Sequence, residues 1–125
     1  MQFPAELMYA KSHEWVKKTG NGLFEIGISD HAQKELGDIV YVNLPKVGDE
    51  LKEGKSFADV ESVKAVSDIF SPINGTVKEV NEAILSAPDS INKGPYESWF
   101  IRAEGTVSEG TLLSAEEYER MVCNK

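Results

Sequence analysis

Residues 59–70 read DVESVKAVSDIF, and the way this stretch folds decides the architecture. With Phe57 just before it, the apolar set is Phe57, Val60, Val63, Val66 and Ile69, spaced by three. A helix would carry that set around its axis, because its period is 3.6. One straight strand would flip it between faces, because its period is two. Two strands joined by a reversal between Ser62 and Ala65 reset the face, and on that reading all five residues turn inward. Their β-branched and aromatic side chains suit strands. Lys64 then stands at or beside the tip of a β-hairpin and projects into water. The tetrapeptide SVKA contains no Gly, Asn or Pro. The reversal is therefore inferred from the parity of the apolar pattern and not from turn chemistry.

Working outward, HEWVKK, TGNG and LFEIGIS read as strand, turn and strand, with Gly20, Asn21 and Gly22 supplying positive φ. SDHAQKELGD reads as a helix of about two turns. Ser29 is its N-cap, Asp30 favours its first turn and Gly37 closes it. IVYVNLP is a strand stopped by Pro45, and KVGDELKEGKS, with Gly48 and Gly54, is a turn-rich connector. In SPINGT the Asn74-Gly75 pair signals a second turn, followed by the strand VKEVN. EAILSAPDSINKGPYES is an irregular excursion with room for one helical turn, and WFIRAEG is a late strand. Ser114 and Glu117 form a capping box for a last helix through about Val122.

The chain has 125 residues, 41% of them hydrophobic, which suits one domain over 1–125 with its own core. Thirteen basic residues against 21 acidic give a net charge of −8. That sign disfavours nucleic acid and favours basic patches on partner proteins. Cys123 is the single cysteine, so no intramolecular disulfide and no cysteine metal site can form. No apolar run approaches the roughly 20 residues of a membrane span. The N-terminal MQFPAELMYAKSHEW lacks the basic start and apolar centre of a signal peptide. The chain reads as cytoplasmic, or as a mature organellar protein of the mitochondrial matrix.

A nucleophilic lysine needs apolar burial or neighbouring cations, and the neighbours of Lys64 are the anions Asp59, Glu61 and Asp68. Covalent modification instead needs an amine presented at a defined height between small flanks, which Ser62 and Ala65 provide. The ordinary alternative is a solvated surface lysine. His13-Glu14 and Asp30-His31 suggest a metal site, but zinc hydrolases use at least three convergent ligands and the chain holds two histidines, 18 positions apart. His31 is expected to be exposed on its helix. Ser29, Ser62 and Ser71 lack a histidine and an acid at triad spacing. A small hydrolase using Glu14 with His13 or His31 remains the rival from another class. Trp15 and Trp99 are expected in strands as core or cleft wall. Cys123 is expected to be a partly buried, inert thiol. No residue is assigned a catalytic role and none a metal-binding role.

ESVKA, followed by SDI and SPINGTVKEVN and preceded by SHEWV and GISDHAQKELGDIVYVNLP, resembles the H proteins of the glycine cleavage system. The resemblance runs from about Tyr9 to the C-terminal helix. Other lipoyl domains typically carry DKA at the hairpin, and biotin carriers MKM. The resemblance implies a mainly β, lipoyl-domain-like barrel-sandwich hybrid of short antiparallel strands with two or three short helices. It implies lipoate in amide linkage to Lys64, and a cleft bearing Ser12, Glu14 and Asp68 that receives the loaded arm. A carboxylate there would pair with the aminomethyl ammonium in a charge-assisted hydrogen bond. Without that cleft, Glu14 would be an exposed strand residue opposite a lysine, and Asp68 a charge that keeps an edge strand soluble. The implied partners are the pyridoxal-phosphate glycine decarboxylase (P protein), the folate-dependent aminomethyltransferase (T protein) and dihydrolipoyl dehydrogenase (L protein). A lipoate ligase or a lipoyl/octanoyl transferase would attach the arm. The implied protein is a monomeric carrier and not an enzyme. The alternative within the same class is a relay that donates lipoate to 2-oxoacid dehydrogenases. Related proteins often carry a histidine where this chain has Glu35, which leaves the polarity of the cleft open.

Overall fold

The computed structural model describes residues 2–108 and 110–123. The chain opens with β1 (Met8–Tyr9), β2 (Glu14–Gly20), β3 (Leu23–Ile28), α1 (Asp30–Leu36) and β4 (Ile39–Asn43). It continues through β5 (Glu50–Leu51), β6 (Ser56–Ser62), β7 (Val66–Phe70) and β8 (Asn74–Val80). The single turns α2 (Ala83–Ser86) and α3 (Ser90–Lys93), then β9 (Ile101–Thr106) and α4 (Ala115–Cys123), complete it. One antiparallel sheet has the order β1-β2-β3-β9-β8-β5, and a second has the order β4-β6-β7.

The two sheets face each other across the main core. Ile26 and Ile28 of β3, Val77 of β8 and Ile101 of β9 meet Val42, Val60 and Ile69 of the smaller sheet. A second cluster lies around Trp15, where Leu7, Tyr9, Tyr118 and Val122 come together. Trp15 stands opposite Gly27, and a Cβ at that glycine would lie 2.7 Å from the indole ring. Small against large across the ladder lets α4 and the N-terminal segment pack on this outer face.

The central reversal is present, with β6 and β7 paired from Ser56↔Phe70 to Glu61↔Val66. The premise behind it needs correction. Val60 and Ile69 are buried and Phe57 partly so, but Val63 and Val66 are each 67% exposed. The tip is too short to fold its own apolar residues back over the core. Asn74-Gly75 is not a turn either. Both residues lie in β8, where Gly75 pairs with Gly105. A Cβ on Gly75 would come within 2.0 Å of the Glu104 carbonyl oxygen, so close backbone approach is what requires glycine here. The reversal falls just before, where the Ser71 hydroxyl accepts from Ile73 N at 3.2 Å.

In the first hairpin only Gly22, at φ 68°, takes the left-handed conformation. The connector after Pro45 contains β5, paired with β8, and the later excursion holds two helical turns where one was expected. Trp99 precedes β9 and is only partly buried, with the Arg102 guanidinium 4.1 Å from its ring centre. Cys123 is exposed, against the expectation of a partly buried thiol. The capping box is present: Glu117 N donates to Ser114 Oγ at 3.2 Å, and Ser114 N to Glu117 Oε1 at 2.9 Å. No helix among the described residues is long and apolar enough to cross a membrane.

Candidate functional site

The missing turn chemistry of SVKA is supplied by serine. Ser62 N donates to Ala65 O at 2.8 Å, closing the turn. The Ser62 hydroxyl oxygen also accepts from Lys64 N at 3.2 Å and Ala65 N at 3.1 Å. A serine side chain thus does what Gly or Asn does elsewhere. Lys64 is exposed at this tip. Its stem crosses the C-terminal end of α1, and Nζ lies 3.4 Å from the Glu35 carbonyl oxygen. Gly37, at φ 79°, ends the helix directly beneath, and a Cβ there would sit 3.2 Å from Lys64 Cε.

The register breaks in β4 between Ile39, opposite Ser62, and Tyr41, opposite Glu61. Val40 is the extra residue, and both Val40 and Tyr41 are exposed. A bulge re-aims side chains in this way. Tyr41, Glu61 and Val66 form one cross-strand row on the outer face. Val40, Tyr41, Val63 and Val66 are thus exposed apolar side chains on the strands and turn that carry Lys64, with the exposed acids Asp38, Glu61 and Asp68 on the same segments.

A cleft of about 140 Å³ lies between β7, α1 and the turn before β2. Ser12, Glu14 and Asp68 all line it, together with Glu35 and Leu36 of α1. The structure therefore brings the three cleft residues expected from the sequence into one site. Glu14 is not an exposed strand residue opposite a lysine; it is 1% exposed and pairs with Ile28. Burial pushes its carboxyl up to about 7, because the charged form loses water. Three hydrogen bonds oppose that rise, from the Ser12 hydroxyl, from Phe70 N at 3.3 Å and from Glu14's own amide. Asp68 is exposed at the rim, on the free edge of the smaller sheet.

The expectation of an exposed His31 is also corrected, since the residue is 8% exposed. Its ring lies 4.8 Å from that of His13, and its Nε2 is 3.6 Å from Glu35 Oε1. No group of three or more His, Cys, Asp or Glu among the described residues is arranged to hold a metal ion. Sequence reasoning missed the Glu35 carbonyl under Lys64 and the role of His13, whose φ is 81°. It also missed Tyr118, whose hydroxyl lies 2.7 Å from His13 Nδ1. The capping box announced the helix that carries Tyr118 but held no signal of where that helix docks.

Residues 7–125 match the family profile described as Glycine cleavage H-protein. The chain is 48% identical over 122 residues to the glycine cleavage system H protein of Lachnoclostridium phytofermentans, covering 98% of this chain and 96% of that one. It is 50% identical over 121 residues to a probable glycine cleavage system H protein of Thermoplasma acidophilum, covering 97% and 96%. The crystal structure of a glycine cleavage system H protein from Mycobacterium marinum superimposes with a TM-score of 0.90 at 36% identity, over 96% of this chain and 98% of that one. The fold is accordingly the lipoyl-domain-like barrel-sandwich hybrid expected from the sequence.

Proposed function

The chain belongs to the glycine cleavage H-protein family, and from that premise we propose that Lys64 carries the lipoyl arm and that Ser12, Glu14 and Asp68 form its shelter. The protein is a lipoyl carrier of the glycine cleavage system. Lipoate held on Lys64 would supply a disulfide able to accept the aminomethyl group of glycine at the pyridoxal-phosphate decarboxylase, yield it to the folate-dependent aminomethyltransferase and be restored by dihydrolipoyl dehydrogenase. The rest is the work of this chain's own residues.

Lys64 Nζ supplies the amide nitrogen. It fits the task because the amine is exposed on a turn locked by Ser62, with Ala65 too small to obstruct an attaching enzyme. Acylation removes the lysine charge, which lowers the cost of entering a desolvated pocket on a partner. Glu14 offers a buried carboxylate, with Asp68 at the rim, to an ammonium group brought into the cleft. An ammonium there would favour the ionised form of Glu14, whose proton leaves to solvent, and the carboxylate would accept a charge-assisted hydrogen bond from it. The exposed apolar side chains of Val40, Tyr41, Val63 and Val66 give partner enzymes a seat beside the arm. The net charge of −8 speeds encounter with basic surfaces.

On this reading the protein itself is not an enzyme. It works as one lipoyl-carrier domain over 1–125, a cytoplasmic monomer that meets the decarboxylase, the aminomethyltransferase and the dehydrogenase in turn. A lipoate ligase or a lipoyl/octanoyl transferase loads it. The relay role toward 2-oxoacid dehydrogenases draws no support from the relatives, which are named as glycine cleavage H proteins at 47–50% identity.

The observation that carries the proposal is an exposed lysine on a serine-locked tip whose amine lies 3.4 Å from the backbone carbonyl oxygen of Glu35, a residue that lines the cleft holding Glu14. Co-expression with a lipoate ligase tests it by intact mass. The wild-type chain should gain one lipoyl group, and Lys64→Arg should gain none while keeping its circular dichroism spectrum. A lipoyl adduct on the arginine variant overturns the assignment.

A further inference from the structure

We propose that Tyr118 is a positioning residue for the cleft: its hydroxyl, delivered by the C-terminal helix, holds His13 in a left-handed turn and so fixes Glu14 against Ser12 and Phe70. The proposal rests on the reading of the cleft as a shelter only for its biological purpose, since the contacts it is argued from are all within the chain.

Glu14 directly follows His13, so the backbone of His13 sets where the carboxylate begins. His13 is the single non-glycine residue with positive φ among the described residues. Such a conformation is unfavourable for a residue with a Cβ and persists where the surroundings over-determine it. Two backbone bonds contribute: His13 N donates to Ala10 O at 2.9 Å, and Ser29 N donates to His13 O at 2.9 Å. The side chain adds a further restraint, its Nδ1 lying 2.7 Å from Tyr118 Oη.

Tyr118 also reaches the opposite wall. Its hydroxyl is 2.7 Å from Ser29 Oγ, and Ser29 caps α1 by accepting from Ala32 N at 3.1 Å. Ala32 and Leu36 of that helix line the cleft. Either hydroxyl can donate in the Ser29–Tyr118 contact, and an arrangement that uses both hydroxyl hydrogens has Ser29 O–H donating to Tyr118 Oη and Tyr118 O–H donating to His13 Nδ1. One buried hydroxyl therefore ties the turn to the helix. Tyr118 itself is 0% exposed and stacks on Tyr9, ring centres 4.6 Å apart. That stack anchors α4 without involving the cleft, which provides a control.

The test is the titration of Glu14, followed by carboxyl carbon NMR on the full unloaded chain. His13, His31, Glu35 and Asp68 also face or flank the cleft and are followed in the same series. In the wild type the Glu14 midpoint should lie near 7. Tyr118→Phe should let water reach the carboxyl and weaken its proton affinity at least tenfold. Tyr9→Phe removes another hydroxyl from the same cluster, one that donates to Pro4 O at 2.9 Å. It should leave the Glu14 midpoint in place even as the melting temperature falls. An unmoved midpoint in folded Tyr118→Phe overturns the proposal, as does an equal shift in both variants, which would reduce Tyr118 to helix docking. If Tyr118→Phe fails to fold, His13→Asn cuts the link from the other end with a residue that tolerates the left-handed region. A wild-type midpoint there is equally fatal. Failure of lipoylation at Lys64 would remove the carrier assignment and leave this titration readable.

Discussion

Replacing Glu14 by glutamine should stabilise the protein, and only on the alkaline side. The folded carboxyl titrates near 7 because it is buried, against an ordinary value of 4.5. Between those values the folded chain holds a proton that the unfolded chain has released. The contribution is therefore fully present below about pH 4.5 and is lost as the pH rises through 7. The difference corresponds to about 3 kcal/mol of lost stability by pH 8.5. Gln fills the same volume, stays neutral throughout and still accepts from Phe70 N. At pH 4 the variant and the wild type should agree within about 1 kcal/mol. At pH 8.5 the variant should be more stable by about 2–3 kcal/mol, the lower figure allowing for relaxation around the ionised wild-type group. Urea unfolding at several pH values measures this, and subtracting wild type from variant cancels the other titrating groups. A difference that stays flat with pH would refute the reasoning, and so would a glutamine variant less stable at pH 8.5. On the proposed function the same change would also remove the anion offered to an ammonium in the cleft, so glutamine should gain stability while shortening the life of the loaded arm. Strain of this kind is found where function requires it.

Two further substitutions probe the frame. Gly75→Ala would drive a Cβ into the Glu104 carbonyl across the β8–β9 ladder, and should cost about 3 kcal/mol in chemical denaturation; a loss below about 1 kcal/mol would show that the two strands can part there. Ser114→Ala removes the hydroxyl that accepts from Glu117 N at 3.2 Å and should lower stability by about 1 kcal/mol, read as a fall of a few degrees in Tm. An unchanged Tm would mean that the first turn of α4 adds nothing to docking.

Much of the local structure was legible. The reversal expected between Ser62 and Ala65 is there, although the inward-facing set from which it was inferred does not include Val63 or Val66. Ser29, Gly37, Ser114 and Glu117 announced helix ends because capping is chemistry among residues three or four apart. The same local logic failed at Asn74-Gly75. That pair has the composition of a turn, yet Gly75 is needed for contact with Gly105, thirty positions later. It failed at Val63 and Val66, where apolar character was read as burial although the tip extends beyond the core. It failed at His31, which a helix exposes or buries depending on what lies against it.

Sequence alone determined the strand-rich pattern, the lysine at a hairpin tip, the helix caps and the family likeness, because each of these rests on composition, short spacing or motif. Only the tertiary structure decided that Ser12, Glu14 and Asp68 share one cleft, that Glu14 is buried there, and that Tyr118 reaches His13 from 105 positions away. Burial and long-range hydrogen bonds belong to pairs of surfaces brought together by the closing of the two sheets and the docking of α4. A one-dimensional pattern carries the periodicity of each surface but not the identity of what will cover it.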